Sequence, residues 1–478
     1  MSTYTYCSTR GGAVGVSFED VVLGGLANDR GLYVPEVVPE VAVDEIMSWR
    51  ALSFPELSHR IMSKYISELE IPTNDLLDVC KRSTVNFRTP DVTPVVRVGS
   101  TWVLELFHGP TFAFKDVALQ FLGNLFEYFL TRKRDRGEDA GLTILGATSG
   151  DTGSAAIYGL RGKEQVSCFI MFPHGRVSDI QERQMTTVSD PNINCISVHG
   201  SFDDCQDIVK ASFGDKDFRE RVKLGAVNSI NWARVLAQIT YYFWAYFRVS
   251  EANEMGDDGG PSVINFSVPT GNFGDVLAGY YSRRMGLPVG KLVVATNEND
   301  ILHRFFTTGC YWREGVVPTV APSMDICVSS NFERFLFHLC GDNASTLQEW
   351  MKNFELTGKL TLEGPLLEKA QEVFLSARVD TAENLAMIRS QWEEHRYLLC
   401  PHTSVGAAAA VKLELTPDRT VVLATAHAAK FVDAVTKVLD SPPPAPEALQ
   451  ELWGLATRST VLPNSAEEVK TFILKTLG

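Results

Sequence analysis

Short, apolar, β-branched runs alternate with helical stretches along most of this 478-residue chain, from about residue 100 onward. The runs read TWVLELF, GLTILGA, SCFIMF, NCISVHG, SVINFSV, KLVVATN and TVVLATA. Strands with one solvent-exposed face alternate apolar and polar residues. These runs are almost continuously apolar, as in strands buried on both faces. The pattern therefore predicts an α/β fold built on parallel sheets.

The rest of the chain divides into pieces of different character. The segment from Phe18 to about Val95 predicts mainly helices, punctuated by proline and glycine. The stretches Arg132–Gly141 and Glu251–Ser262 predict solvated loops, and SPPPAPE at Ser441–Glu447 predicts a stiff linker before a helical tail. Because the chain is too long for one compact core, we expect two or three domains.

Composition excludes several functional classes. The formal net charge of −14 argues against nucleic acid or an anionic membrane as the main partner. Nine cysteines are scattered without a Cys-x-x-Cys pair, which favours structural thiols in a reducing compartment. The start MSTYTYCSTRGG has no secretory apolar core, no uncharged apolar run is long enough for a membrane span, and no zinc spacing occurs. We therefore expect a cytoplasmic enzyme that holds no metal.

Lys115 stands in an unusual setting, the stretch ELFHGPTFAFKDVALQ. It follows Phe112, Ala113 and Phe114. Lysines often lay their methylene groups on apolar surface and keep the ammonium in water, which is one explanation. The other is that the amine is held desolvated, because desolvation lowers the pKa of a lysine and a neutral amine can form a Schiff base with an aldehyde. Lys115 alone does not decide between the two.

Two strand–loop–helix junctions are suited to bind anions. In LTILGATSGDTGSAAIYGL, glycines and hydroxyls meet a helix start whose free N–H groups and dipole suit a small carboxylate, although an ordinary helix cap explains the pattern equally well. In VINFSVPTGNFGDVLAGYY, a glycine-rich loop that matches neither nucleotide fingerprint could hold a phosphate. The residues concerned are Thr148, Ser149 and Thr152 in the first junction, and Gly271, Asn272, Phe273 and Gly274 in the second.

A third junction, TVVLATAHAAKF, places Thr425 at the carboxyl end of a strand, where open α/β sheets bind their ligands. Taken alone, such a threonine is usually a packing residue. The combination of a desolvated lysine, a phosphate loop, a carboxylate loop and a strand-end hydroxyl is far more specific. These are the groups that pyridoxal 5′-phosphate requires for its aldehyde, its phosphate, the carboxylate of an amino-acid substrate and its ring nitrogen.

At these residues the chain resembles a known family. The motifs STRGG, SFEDVVLGGLA, GLYVP, HGPTFAFKD, GATSGDTGSAAIYGLRG, IQERQMTTV, GAVNSINWARVLAQ, VPTGNFGD and TAHAAKF resemble threonine synthase, most closely its fungal-type branch. The resemblance covers nearly the whole chain and implies a fold-type II pyridoxal-phosphate enzyme, related to tryptophan synthase β. It implies conversion of O-phospho-L-homoserine and water to L-threonine and phosphate by γ-elimination and β-addition.

The resemblance also implies roles for individual residues. Lys115 is the expected Schiff-base lysine. The expected cofactor contacts are Asp151 near the phenolic oxygen, the loop Gly271, Asn272, Phe273 and Gly274 with the adjacent Asp275, and Thr425 at the ring nitrogen. Thr148, Ser149 and Thr152 are expected to bind the substrate carboxylate. The substrate phosphate is expected at Arg234, with Ser229 and Asn231 nearby and Arg176 as the second candidate.

Three segments are implied, with approximate and interwoven boundaries: 1–98, an N-terminal segment; 99–235, an α/β domain with the lysine and the carboxylate loop; and 236–478, an α/β domain with the phosphate loop and a tail. The chain departs from the family pattern at Ala428, where a proline is usual, at His174, where a threonine is usual, and at Arg30, where a glycine is usual. Because Ala428 lies close to Thr425, we expect its effect at the ring nitrogen.

Two alternatives stay open. A related phospho-lyase with the same motifs would give 2-oxobutyrate, ammonia and phosphate if water is not held at Cβ, although the intact Phe-His-Gly-Pro and Gly-Asn-Phe-Gly-Asp stretches favour the synthase. A scaffold that kept the fold without the cofactor is the other alternative, and Lys115 together with both glycine loops argues against it. For either enzyme we expect a monomer or a homodimer.

Overall fold

The chain folds around two sheets of mainly parallel strands, as the alternating runs predict. A computed structural model describes residues 4–252 and 261–478. Each of the apolar runs quoted above forms a strand, which confirms the α/β class. The loop expected over Glu251–Ser262 lies mostly outside the described residues. No helix in the described part of the chain is long and apolar enough to cross a membrane.

The strands, in chain order, are β1 Tyr6–Ser8, β2 Tyr33–Pro35, β3 Val95–Val98, β4 Thr101–Glu105, β5 Leu142–Ala147, β6 Val166–Pro173, β7 Ile193–His199, β8 Leu224–Gly225, β9 Ile264–Pro269, β10 Val289–Thr296, β11 Cys310–Trp312, β12 Lys359–Thr361, β13 Phe374–Arg378, β14 Thr420–Ala424 and β15 Thr460–Pro463.

The α-helices are α1 Phe18–Gly24, α2 Val43–Ser48, α3 Phe54–Met62, α4 Thr73–Arg82, α5 Lys115–Asp135, α6 Asp151–Leu160, α7 Asp179–Thr186, α8 Phe202–Gly214, α9 Lys216–Val222, α10 Trp232–Ala252, α11 Gly274–Arg284, α12 Ile301–Thr308, α13 Phe332–Leu339, α14 Ala344–Thr357, α15 Pro365–Val373, α16 Thr381–His395, α17 Pro401–Lys412, α18 Val432–Val435, α19 Glu447–Gln450 and α20 Ala466–Leu477. Short 3-10 turns include Pro322–Met324 and Ala428–Lys430.

The larger sheet has six strands in the order β13-β10-β9-β14-β4-β3. All neighbours are parallel except β3 and β4, which form an antiparallel edge pair. Strands β9, β14 and β4 are direct neighbours, so their carboxyl ends lie side by side at one edge. The loops that follow these three strands carry the glycine-rich loop, Thr425 and Lys115.

The smaller sheet has five parallel strands in the order β15-β7-β6-β5-β8. Its strand β5 leads into the loop expected to bind a carboxylate. Strand β15 comes from the C-terminal tail, for which the sequence predicted only helix. The tail therefore returns to the sheet of the middle segment, while β4, which falls in that middle segment, belongs to the larger sheet. The chain is interwoven between the two sheets, and the three expected segments stay a prediction.

One expected loop was placed wrongly. The stretch from Arg132 to Gly141 was expected to be a loop, but α5 runs on to Asp135. The last turn of α5 carries Arg132, Lys133 and Arg134, and cations there interact favourably with the negative end of the helix dipole. A run of charge that is typical of a loop therefore extends this helix.

Helix α10 ties the N-terminal segment to the larger sheet. The indole ring of Trp232, at its start, is fully buried and contacts the rings of Tyr6, Tyr65 and Tyr281. Tyr6 and Tyr65 belong to the N-terminal segment, whereas Tyr281 lies on α11. Buried aromatic pairs of this kind add roughly 0.5–1.5 kcal/mol each beyond the burial of their area.

Helices α5 and α6 touch backbone to backbone. A Cβ atom at Gly123 on α5 would overlap the carbonyl group of Gly159 on α6, and one at Gly159 would overlap the carbonyl of Leu119. Because α5 begins at Lys115 and α6 at Asp151, this close approach fixes the distance between two of the expected site residues.

We predict that Gly123→Ala lowers the free energy of unfolding by about 1–3 kcal/mol, because the added methyl group pushes α5 away from α6. The better helix propensity of alanine offsets only part of that loss. The control is Gly24→Ala on α1, where the added Cβ meets no described atom within 4 Å. Urea unfolding of both variants checks the prediction, and equal stability of the two would contradict it.

Candidate active site

The segment before Lys115 pairs with the segment after β14. The Phe114 N–H donates to the Thr425 carbonyl at 2.8 Å, and the His427 N–H donates to the Phe112 carbonyl at 3.1 Å. A β-bridge between Ala113 and Ala426 lies between these two hydrogen bonds. This short ladder sets Lys115 and Thr425 on neighbouring strands of chain, although more than 300 residues separate them in sequence.

The Lys115 side chain is 12% exposed. Its ammonium lies 4.9 Å from the centre of the Phe114 ring, and its Nζ lies 3.9 Å from Oδ2 of Asp151. Burial lowers the pKa of Lys115 below its usual value; Asp151 opposes the shift, and the positive charges of Lys430 and Arg234 add to it. The structure therefore supports the desolvated reading of this lysine.

Phe112 serves a different purpose from Phe114. Its backbone is left-handed (φ 59°), and its ring packs with Ile180 and Leu449 while the Arg88 guanidinium lies over it at 3.7 Å. The described contacts place only Phe114 against the Lys115 amine. The sequence grouped the two rings together, whereas in the structure one desolvates the lysine and the other anchors its loop.

Asp151 lies between two lysines. Its Oδ1 is 2.7 Å from Nζ of Lys430 and also accepts from Nε2 of Gln181 at 2.9 Å. Burial by itself would raise the pKa of Asp151, but the positive charges of Lys430 and Lys115 outweigh burial and hold that pKa well below its usual range. Asp151 is therefore a carboxylate at every working pH.

Sequence reasoning missed Lys430, Gln181, Ser323 and His402. The Oγ of Ser323 donates to Oδ2 of Asp151 at 3.4 Å, and its backbone N–H donates to Nε2 of His402 at 3.1 Å. Burial lowers the pKa of His402 to about 4, so its ring is neutral near pH 7. Lys430 was visible within the motif TAHAAKF, while Ser323 and His402 come from segments with no motif.

The loop expected to bind a carboxylate is shaped by Thr148. Its Oγ1 accepts hydrogen bonds from the N–H groups of Gly150 and Gly153, at 3.0 and 2.9 Å. Ser149 is exposed, and Thr152 is partly buried in the first turn of α6. Thr148 thus orders the turn, and the hydroxyls of Ser149 and Thr152 are the ones open to a ligand.

The glycine-rich loop is held by its carbonyl groups. The Oγ of Ser329 donates to the Gly271 carbonyl at 2.8 Å, and both the N–H and the Nδ2 of Asn331 donate to the Asn272 carbonyl, at 3.1 and 3.0 Å. Within residues 4–252 and 261–478, no acceptor bonds the N–H groups of residues 271–274. A row of free donors at the start of α11 is the arrangement that a phosphate group needs.

Phe273, rather than a glycine, carries the left-handed backbone of this loop (φ 63°). Its side chain is buried. It packs against the rings of Phe306, Phe332, Phe335 and Phe374. Gly274 needs no unusual backbone angle, and a Cβ there would lie 3.4 Å from Nδ2 of Asn331, the side chain that bonds the Asn272 carbonyl.

Asp275 is turned away from the loop into the core. Its Oδ1 accepts from the hydroxyls of Tyr241 and Tyr242 at 2.7 and 2.8 Å. Burial raises the pKa of Asp275 to about 6, and the two tyrosine hydrogen bonds limit the rise. The carboxylate thus anchors α11 to α10 beneath the glycine-rich loop.

The Thr425 hydroxyl has no hydrogen-bond partner among the described residues, whereas its backbone N–H donates to Oγ1 of Thr403 at 3.2 Å. The unusual Ala428 is buried in the turn Ala428–Lys430, which His427 caps by accepting from the Ala429 N–H. A proline is therefore not needed to form this turn. The hydroxyl is left available for a ligand atom.

Arg234 is buried at the start of α10. One guanidinium nitrogen donates to the Val227 carbonyl at 3.2 Å, and Nε has no partner in the described part of the chain. Burial lowers the pKa of the guanidinium to about 10, so it stays charged at neutral pH. No carboxylate within the described ranges forms an ion pair with it.

The three other residues expected near the substrate phosphate lie in three different surroundings. The hydroxyl of Ser229 lies 3.2 Å from that of Ser330, which in turn donates to Oδ1 of Asn272 in the glycine-rich loop. Asn231 is fully buried: its Nδ2 donates to the Val22 carbonyl and its Oδ1 accepts from the Ala233 N–H, so it shapes the start of α10. Arg176 is exposed in the turn after β6.

The residues present fit pyridoxal 5′-phosphate. A desolvated amine, four free N–H groups at a helix start and an unbonded hydroxyl meet between the two sheets, each suited to a different part of that cofactor. Among the described residues there is no cluster of His, Cys, Asp and Glu that could hold a metal ion.

Comparisons with known proteins agree with this reading. One family model, described as threonine synthase N terminus, matches residues 5–84, and another, described as pyridoxal-phosphate dependent enzyme, matches residues 88–349. A third, described as threonine synthase, C-terminal, matches residues 403–473.

Individual relatives are similar over almost the whole chain. The threonine synthase of Schizosaccharomyces pombe is 50% identical over 469 residues, 92% of this chain and 90% of that protein. A crystal structure of threonine synthase from yeast gives a TM-score of 0.93 at 45% identity, and a PLP-bound threonine synthase from Brucella melitensis gives 0.93 at 40%. Each covers 99% of both chains. The expected fold type and cofactor are confirmed.

We predict that Gly274→Val weakens cofactor binding while the fold stays intact. The branched side chain would crowd Asn331, which holds the loop, and so shift the free N–H groups away from the phosphate. Loss of hydrogen bonds to a charged phosphate costs roughly 1.5–3 kcal/mol, or about tenfold to a hundredfold in affinity. Gly214→Val, where an added Cβ meets no described atom within 4 Å, is the control. Fluorescence titration with the cofactor measures the effect. Unchanged affinity at Gly274→Val would exclude this loop as the phosphate site.

Proposed function

Because the chain belongs to the threonine synthase family, we propose that the residues of this site catalyse the conversion of O-phospho-L-homoserine and water to L-threonine and phosphate, each with its own role. The observation that carries the proposal is the desolvated Lys115 amine at a junction of three ligand-binding loops. Pyridoxal phosphate, when bound, supplies the electron sink for carbanions next to the amino group of the substrate.

Four groups hold the cofactor. The N–H groups of Gly271, Asn272, Phe273 and Gly274 would bind its phosphate, and the Lys115 amine would bond its aldehyde carbon. The Thr425 hydroxyl would bind the ring nitrogen, and Asp151 would act near the phenolic oxygen. A neutral hydroxyl, unlike an aspartate, does not hold a proton on the ring nitrogen, so Thr425 limits the sink and disfavours transamination.

Lys115 moves protons during the reaction. With substrate bound, the Lys115 amine would remove a proton at Cα and then one at Cβ as general base, and would return protons as general acid. Its lowered pKa suits this role, because a base titrating nearer the working pH is present in its neutral form more often. The phosphate would leave from Cγ, a proton returned by the general acid would convert Cγ to the methyl group, and water would add at Cβ, where a proton was removed.

Substrate contacts come from both sheets. Ser149 and Thr152, with the turn that Thr148 orders, bind the carboxylate of the substrate at the start of α6. Arg234 binds the leaving phosphate. It is cationic and buried, and it has no carboxylate partner in the described chain, so an arriving dianion gains a strong charge-assisted contact. Ser229, a further proposed phosphate contact, lies beside the glycine-rich loop through Ser330. Asn231 supports Arg234 by accepting from its backbone N–H, and Arg176 is the second candidate.

Product analysis tests the proposed function directly. Incubated with cofactor and O-phospho-L-homoserine, the protein should release L-threonine and phosphate in equal amounts. The phospho-lyase alternative predicts 2-oxobutyrate and ammonia in place of threonine. A ratio of 2-oxobutyrate to threonine above one would favour the lyase and overturn the assignment.

We propose further that the protein acts in the cytoplasm, as a monomer or a homodimer. All nine cysteines are free thiols, which suits a reducing compartment. Sedimentation of the protein with its cofactor measures the oligomeric state, and fractionation of cells that make it measures the compartment.

We predict that borohydride reduction of the protein with its cofactor labels Lys115 and no other lysine. Lys430 is the only comparable rival near the site among the described residues, but its Nζ is fully buried and already bonded to Asp151 and the Thr111 carbonyl. Lys115→Ala should abolish the label and the visible absorbance band. Peptide mapping locates the label and an absorbance spectrum measures the band; a label on Lys430 in the unaltered protein would refute the assignment.

We predict that Arg234→Ala raises KM for O-phospho-L-homoserine and lowers kcat. Losing one charge-assisted contact costs roughly 1.5–3 kcal/mol, or about tenfold to a hundredfold in kcat/KM. Arg234→Lys should recover only part, because an ammonium does not make the bidentate fork. Arg176→Ala is the matched control and should change kcat/KM less.

One result would show that Arg234 does not bind the phosphate. The absorbance change on binding an amino acid that lacks a phosphate should be nearly the same in Arg234→Ala as in the unaltered protein. If that binding suffers as much as phosphate release does, Arg234 is a carboxylate or structural residue, and Arg176 takes its place.

A further inference from the structure

The second buried lysine of the site lies out of reach of any substrate. The side chain of Lys430 has 0% exposure. Its Nζ lies 2.7 Å from Oδ1 of Asp151 and donates to the Thr111 carbonyl at 2.8 Å. A cation enclosed in this way acts only through the groups that it touches.

Those two partners connect Lys430 to Lys115 by different routes. The first is Asp151, whose Oδ2 faces Nζ of Lys115 at 3.9 Å while Oδ1 is bonded to Lys430. The second is the backbone of Thr111, whose carbonyl also accepts from Nε2 of Gln184 and whose N–H and hydroxyl both donate to Asp116 beside Lys115. Lys430 therefore joins the turn after β14 to the loop that ends in Lys115.

We propose that Lys430 is a positioning residue for the reaction: it holds the Asp151 carboxylate in place beside Lys115 and balances the field of that carboxylate at the Lys115 amine. The proposal rests on the roles of Lys115 and Asp151 given above. It assigns Lys430 no contact with substrate or cofactor.

The charges that face these groups come from several elements. Asp151 faces Lys115 on α5, Lys430 on the turn before α18, and His402 on α17, which is neutral at working pH. Lys115 faces Asp151, Lys430, Arg234 on α10 and Asp116 on its own helix. Around Lys115, therefore, the cation of Lys430 opposes the effect of the Asp151 carboxylate, which would otherwise raise the pKa of the amine.

Removal of the Lys430 charge should shift the pH dependence of the reaction in one direction. In Lys430→Met, Asp151 loses its closest cation, so burial raises its pKa toward the assay range. Wherever Asp151 stays ionised, its unbalanced charge raises the pKa of Lys115. Both effects favour the protonated forms, and Lys115 is a free amine only while substrate is bound, so the acid limb of the kcat profile should move to higher pH by about one unit or more. Lys430→Arg keeps the charge and should restore most of the original profile.

The protein without its cofactor gives a second, independent readout. In the unaltered protein the low pKa of Asp151 contributes stability at every pH above the unfolded value of about 3.9, and that stability is lost only in stronger acid. In Lys430→Met only Lys115, at 3.9 Å, opposes the effect of burial on Asp151, so we expect the folded pKa of Asp151 to lie above the unfolded one and the stability penalty to grow as pH rises through the range between them. The deficit in Tm relative to the unaltered protein should therefore be larger at pH 8 than at pH 5.

The experiment compares Lys430→Met, Lys430→Arg and the double variant Asp151→Asn/Lys430→Met, with Lys163→Met as the control. Lys163 forms an ion pair with Glu127 away from the site, so its loss should shift neither profile. The double variant removes both charges and should return the Tm deficit to nearly the same value at pH 5 and pH 8. Absorbance of the bound cofactor against pH gives the third measurement and needs no turnover.

The outcomes separate the possible roles. If Lys430→Met changes Tm equally at pH 5 and pH 8 and leaves the pH profile unmoved, Lys430 is only a packing residue and the proposal is wrong. If Lys430→Met does not fold at pH 8, folding at pH 5 or recovery in the double variant supports the proposal, and failure of both overturns it. Failure of the proposed function appears differently, as loss of the borohydride label at Lys115 in the unaltered protein.

Discussion

The parallel alignment of β9, β14 and β4 is the constraint on which the rest of the site depends. Parallel neighbours end at the same edge of a sheet, so the segments that follow them meet without any further folding. Here those segments supply the free N–H groups of residues 271–274, the Thr425 hydroxyl and the Lys115 amine. The second sheet then needs to contribute only one loop, at the end of β5, to close the site around a small substrate.

The burial of charged side chains is a second constraint on the site. Lys115, Asp151, Lys430 and Arg234 all lie in a region where an unpaired ion costs several kcal/mol. The arrangement is cationic overall, and a cofactor and a substrate that each carry a phosphate bring the balancing negative charge. The acidic surface of the chain does not oppose this, since charges separated by more than about 8–10 Å through water are largely screened. A locally basic site thus coexists with a net charge of −14.

Sequence patterns predicted the elements well and the contacts between them less well. The apolar runs gave the strands, because continuous burial leaves few other structures open to them. The glycine loops were found since a phosphate site needs free N–H groups at a helix start. Ser323, by contrast, donates to Asp151, and His402 accepts from Ser323, although both residues lie in segments without a recognisable motif. The role of Asn231 as a helix-start residue depends on the Val22 carbonyl, which is far away in sequence. Side chains that act through tertiary contacts leave no local pattern.

Two phenylalanines show how packing fixes this site at the level of the backbone. Phe112 and Phe273 both have positive φ, a conformation that costs a bulky residue roughly 1–3 kcal/mol and that glycine adopts freely. Each ring is buried in a cluster, Phe112 with Ile180 and Leu449 and Phe273 among four other phenylalanines. Burial of a large side chain stabilises the fold by about 1.5–3 kcal/mol, which offsets the strain. A glycine at either position would relax the angle but leave the loop free to move. Phe112 therefore holds the loop that carries Lys115, and Phe273 holds the N–H groups of the phosphate loop in the same way.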